Sequence, residues 1–165
     1  MTGLVTAIAL LPVPGAAAAG GATVERFAVS WELSSDTCTN LPAGTTVEGT
    51  GTEKSITRTR TNAAGVTMIS NTTTATGTAT DQDGNTYVFL YSNTFRASNS
   101  TADPDVFTGL MNDAFSLGGP GPARLSNGFT ARFTTDFTTF FTFDPIRAYG
   151  DPISFPEGEE HCDPL

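Results

Sequence analysis

The stretch Ala79-Thr80-Asp81-Gln82-Asp83-Gly84-Asn85-Thr86-Tyr87-Val88-Phe89-Leu90-Tyr91 sets a cluster of turn-forming residues directly before a run of aromatic and β-branched ones. That juxtaposition reads as a hairpin. Tyr87, Phe89, Tyr91 and Phe95 recur at a spacing of two, with Asn93 as the polar interruption, so they share one face of a strand. The rest of the chain repeats this unit.

To the N-terminal side, Phe27, Val29, Trp31 and Leu33 alternate with Ala28, Ser30 and Glu32, the mark of a half-buried strand. Ser34 to Gly44 reads as a loop. Thr45 to Thr61 and Val66 to Thr80 form two long Thr-rich strands joined at Asn62-Ala63-Ala64-Gly65, and Gly49 and Gly51 suggest a bend or bulge in the first of them. To the C-terminal side, Phe107, Met111 and Phe115 share parity. The regular alternation of Phe129, Ala131, Phe133, Thr135, Phe137, Thr139, Phe141 and Phe143 then predicts one long strand ending at Asp144-Pro145, and Ile146 to Tyr149 gives a last short one.

No window keeps apolar residues at helical spacing. The predicted class is all-β and antiparallel, with about eight strands in an up-and-down β-barrel or, alternatively, a two-sheet β-sandwich. Closure is favoured because long Thr-rich strands otherwise present unpaired edges. The chain of 165 residues fits one domain, taken as 20–165 with an acidic C-terminal tail.

Residues 1–19 read as a secretory signal segment, since Leu4 to Ala19 is an apolar run followed by small residues; no Lys or Arg precedes it. In an exported chain, Cys38 and Cys162 pair most simply with each other, because their spacing fits no redox or zinc motif. A net charge of −9 opposes binding to nucleic acid and to anionic membrane surfaces. No apolar run in the mature part is long enough to span a bilayer as a helix.

Candidate chemistry is sparse. Asp81, Asp83 and Asn85 have the spacing of the first oxygen ligands of a calcium loop, but Thr86 stands where that motif requires glycine and Ser92 where it requires glutamate. The residues read as a plain turn, and no metal, cofactor or catalytic residue is assigned. His161 sits in the terminal tail without a nucleophile motif. Lys54, Arg58 and Arg60 share one strand face, with solvation by water the simplest reading. Asn71-Thr72-Thr73 and Asn99-Ser100-Thr101 match the glycosylation sequon.

The expected function is a secreted, non-enzymatic β-barrel that takes a small apolar or aromatic molecule in its interior. Its ligand-binding residues are Tyr87, Phe89, Tyr91, Asn93 and Phe133, aromatic walls with an amide as polar handle. Two alternatives belong to other classes. One is a structural or adhesive surface module that uses its Thr-rich outer faces, and the other a cofactor-free isomerase or cyclase with Glu32, Arg96 or Asp136 as acid–base groups.

Overall fold

A computed structural model describes residues 21–150 and Cys162. The signal segment, His161 and the rest of the tail lie outside the described residues. Seven strands, β1 (Ala22–Ser34), β2 (Thr46–Thr61), β3 (Thr67–Asp81), β4 (Thr86–Ser98), β5 (Phe107–Gly118), β6 (Leu125–Thr135) and β7 (Phe141–Tyr149), form one antiparallel sheet in chain order. Among the described residues there is no helix. The all-β, antiparallel, up-and-down expectation therefore holds.

Among the described residues the count is seven rather than about eight, and β1 and β7 are not hydrogen-bonded to each other, so the sheet is not closed into a barrel. Part of the reason is local. Pro145 lies within β7 and has no amide hydrogen for a second neighbour, and a register shift falls opposite it between Thr130 and Ala131.

The open sheet is nevertheless strongly rolled. Trp31 of β1 packs edge-on against Phe115 of β5 with ring centroids 5.6 Å apart, whereas four strand spacings across a flat sheet amount to roughly 19 Å. Trp31 also meets Phe89 at 5.1 Å, and Phe89 stacks on Phe115 at 6.2 Å. Around this trio lie Leu33, Val47, Ala75, Ala79, Leu117 and Leu125, all buried.

Gly49 and Gly51 do not mark a bulge, since both β1–β2 and β2–β3 pair without a register shift. They make room. A Cβ on Gly49 would stand 2.1 Å from the Trp31 ring, and one on Gly51 would stand 2.8 Å from Phe89 and 2.3 Å from the Thr76 carbonyl oxygen.

The predicted Cys38–Cys162 disulfide is present, with a Cα–Cα distance of 5.0 Å and both residues fully buried. It fastens the loop after β1 to the residue whose carbonyl accepts a hydrogen bond from the Asn127 amide of β6 (2.8 Å). The packed end of the roll is thus pinned across its open side. Such a bond is maintained in an oxidising environment.

The long alternation from Phe129 to Phe143 is two strands, not one. The chain reverses at 136–140, where the Asp136 carboxylate accepts hydrogen bonds from the amides of Thr138, Thr139 and Phe140 and from the Thr139 hydroxyl. Phe137 takes a left-handed backbone there, with φ 60°. Asp144-Pro145, read as the end of a strand, lies inside β7.

Candidate functional site

The inner face of the roll changes character along the strands. At the packed end the inward side chains of β4 are Tyr87 and Phe89, at 1% and 0% exposure. The Tyr87 hydroxyl donates to Asp81 (2.7 Å) and accepts from the Ala123 amide (3.3 Å), tying the β3–β4 turn to the β5–β6 connection. Burial pushes the Tyr87 pKa up, and its bond to Asp81 adds to that.

Asp81 is the centre of the turn. Its carboxylate also accepts from the amides of Asp83 and Asn85 and from the Asn85 side chain. Burial opposes its ionisation, but these bonds and the one from Tyr87 outweigh it and hold the group below its ordinary value. Gly84 supplies the left-handed residue at φ 82°. Asp81 and Gly84 together reverse the chain between β3 and β4.

Farther along the same face, one cross-strand row is polar. Glu25 of β1 stands opposite Ser55, Ser55 opposite Thr73, Thr73 opposite Asn93, and Asn93 opposite Asp113. Asn71 donates to Ser55 (2.8 Å) and Thr57 (2.9 Å), and the Thr73 hydroxyl donates to Asn71 Oδ1 (2.9 Å) and lies 3.1 Å from the Ser55 hydroxyl. On the β4–β5 side, the Tyr91 hydroxyl (2.9 Å) and the Asn93 amide (2.6 Å) both donate to Oδ2 of Asp113.

Asp113 is 7% exposed, and its other oxygen, Oδ1, is buried with no hydrogen-bond partner among the described residues. A buried carboxylate oxygen with no donor carries a large desolvation cost. Trp31 Nε1 and Asn127 Oδ1 likewise have no partner among the described residues. Of the three, Asp113 is the ionisable side chain, and it stands opposite the half-buried Phe129.

Those side chains are aromatic for the most part. Phe129 stands opposite Asp113 on β6, and Met111 stands opposite Phe95. Phe95 packs edge-on against Phe133 at 5.7 Å and Phe129 against Phe143 at 5.3 Å. Phe95, Met111, Phe129 and Phe143 are half-buried, and Phe133 is buried beneath them. Glu53 also faces inward, level with Tyr91 across β3, and partial burial raises its carboxyl pKa.

Of the five residues expected to bind a ligand, Tyr91 and Asn93 are brought together by Asp113, whereas Phe133 lies farther along β6, opposite Gly109 and packed against Phe95. Tyr87 and Phe89 belong to the packed end. Asp113 is not among the expected residues; its signal in the sequence is a lone carboxylate sharing parity with Phe107, Met111 and Phe115.

Other expected groups lie elsewhere. Glu32 and Arg96 are on the outer faces of β1 and β4, and Asp136 is engaged in its turn, so the three acid–base candidates are not assembled. The Asn71 amide is spent inside the polar row, and that of Asn99 donates to the Pro104 carbonyl while its oxygen accepts from the Thr67 amide, so both sequons serve structure. Hollows of about 200 and 250 Å³ open on the side of β1 to β3, the first lined by Thr46, Glu48, Thr80, Asp81 and Gln82 and the second by Ser30, Trp31, Glu32, Glu48, Gly49 and Thr50. None of the five expected binding residues lines either.

Comparison with family models, with curated proteins and with solved structures found no match. The functional reading therefore rests on the site itself.

Proposed function

We propose that this protein is a non-enzymatic binding protein that works as an open-sided barrel, holding a small aromatic or apolar molecule against the concave face of β4 to β6. The observation that carries the reading is Asp113, a buried carboxylate with one oxygen satisfied by Tyr91 and Asn93 and the other lacking a donor. A ligand hydroxyl or N–H placed there supplies the missing bond, and charge assistance strengthens it. Its apolar body rests on Phe95, Met111, Phe129 and Phe133, with Tyr87 and Phe89 as the packed floor.

In the same reading the protein is secreted. The Leu4 to Ala19 segment acts as the export signal, and the Cys38–Cys162 bond suits an oxidising compartment. Titration calorimetry with 2-naphthol and with naphthalene tests the binding reading. 2-Naphthol should bind and naphthalene bind at least tenfold more weakly, while Asp113→Leu should remove the difference. Equal affinity for both in the native protein, or binding of neither, would overturn it.

A second reading is favoured by one observation. Thr72, Thr74, Thr76, Thr78 and Thr80 stand exposed on the outer face of β3, beside exposed Val88 (64%) and Leu90 (50%) of β4. That strip suits an adhesive module. Loss of surface adsorption on replacing Val88 and Leu90 by Ser would support it, and unchanged adsorption would remove it.

A further inference from the structure

The outer face of the β1–β2 pair carries like charges opposite each other at two places. Arg26 stands opposite Lys54, and Glu32 stands opposite Glu48. Like charges directly opposed across a ladder are destabilising, so both pairs cost the isolated chain stability. Between them lie only Ala28 opposite Thr52 and Ser30 opposite Thr50. The patch is positive at one end and negative at the other.

The other edge of β1 has no strand beside it among the described residues. It is 13 residues long. Natural edge strands of that length are normally covered, bent or blocked by proline, and β1 contains no proline and pairs with β2 without a register shift. Val24 and Phe27 along it are 48% and 46% exposed.

We infer that a second copy of this chain pairs with that edge, β1 antiparallel to β1 about a two-fold axis at Val29. Two-fold symmetry requires one residue of the strand to face itself. With Val29 in that place, Arg26 of each copy faces Glu32 of the other. No other two-fold register of β1 opposes unlike charges, because Arg26 against Glu25 would have its axis between two residues.

The consequence extends one strand farther on each side. Across the joined sheet, the outer-face row reads Lys54, Arg26, then Glu32 and Glu48 of the second copy, and the symmetric row reads the same. Each like-charge pair of the separate chain acquires an unlike neighbour. On the inner face, Phe27 comes beside Trp31 of the second copy. The concave faces of the two copies remain on one side of a continuous sheet and stay open, and the inference does not depend on the binding reading above.

Two variants that should each be monomeric test the charge logic. Arg26→Glu sets acidic residues at both positions and Glu32→Arg sets basic ones, so neither can pair with itself in this register. Sedimentation equilibrium at low salt should give twice the monomer mass for the native protein and the monomer mass for each variant. An equimolar mixture of the two should regain twice the monomer mass. In about 1 M salt, where screening acts within about 3 Å, the native dissociation constant should rise at least tenfold.

The register is tested by oxidative cross-linking. Val29→Cys places two thiols on Cα atoms about 4.5 or 5.5 Å apart across the axis, within disulfide range, and should give a covalent dimer. Ala28→Cys should not, and circular dichroism should show every variant folded. A native protein that stays monomeric at low salt, a mixture that stays monomeric, or cross-linking through Ala28→Cys as fast as through Val29→Cys would each overturn the inference.

Discussion

Trp31 on β1 and Phe115 on β5 touch edge to face, 5.6 Å between centroids, although three strands separate them in the sheet. This contact requires the sheet to roll, and the roll gives the molecule an inside. Gly49 permits it by leaving the Trp31 ring the space that a Cβ would take.

Gly49→Ala should therefore be among the most damaging single substitutions. The methyl would sit 2.1 Å from the indole and force either the ring or β2 to move. Overpacking of this kind costs about 1–3 kcal/mol, occasionally more. Guanidinium unfolding followed by the fluorescence of Trp31, the single tryptophan, should show an earlier midpoint and a red-shifted native spectrum.

Reduction of Cys38–Cys162 should lower stability substantially. The bond spans 124 residues of sequence, for which the chain-entropy estimate is about 4–5 kcal/mol and practical values are often smaller. The check is the unfolding midpoint of native protein against Cys38→Ser/Cys162→Ser. The double variant should unfold at lower denaturant, and reductant should not change its midpoint.

The acid limb of the stability profile should depend on Asp81 and Asp136. Hydrogen bonds hold both carboxyls below the ordinary value of 3.8 in the folded state. A carboxyl with a lowered folded pKa contributes stability above the unfolded value and loses it as pH falls through the folded one. The melting temperature of Asp136→Ala should thus lie below that of the native protein at pH 6, and the gap should narrow as pH falls below 3.8.

Glu53 should behave in the opposite sense. Its carboxyl is raised above 4.5 by partial burial, so the folded state favours the protonated form. Its contribution is complete below 4.5 and is lost as pH rises through the folded value. Glu53→Gln should raise the melting temperature at pH 7 and leave it unchanged at pH 3.5; a fall at pH 7 would show that the charged form has a partner.

The parts of the fold that were legible in sequence are those where parity and turn chemistry agree. The Asp81 to Tyr91 hairpin, the alternation of β1 and the shared face of Phe107, Met111 and Phe115 all reappear in the structure. The run from Phe129 to Phe143 misled because the reversal at 136–140 leaves Phe133 and Phe143 directly opposite each other on one face. Its turn rests on Asp136 and on a left-handed Phe137, and no Gly, Pro or Asn marked it. Sheet closure was not legible, since it depends on how β1 and β7 meet at the end of six successive pairings.

For the site, Tyr91, Asn93 and Phe133 were legible as inward-facing residues. Asp113 was not, because a carboxylate within an apolar parity class carries no sign of which strand will face it. The partner of Tyr91 and Asn93 is set by the β4–β5 register, which places Asn93 opposite Asp113, and register is a pairwise property of two strands.

The central claim, that the concave face around Asp113 takes a ligand, is tested most directly by an amide and methyl chemical-shift map of the full chain titrated with 2-naphthol. Saturable shifts should group on Tyr91, Asn93, Met111, Asp113 and Phe133, with Thr76 and Thr78 on the outer face unmoved. Shifts confined to the outer face, or no saturable shift at Asp113, would contradict it.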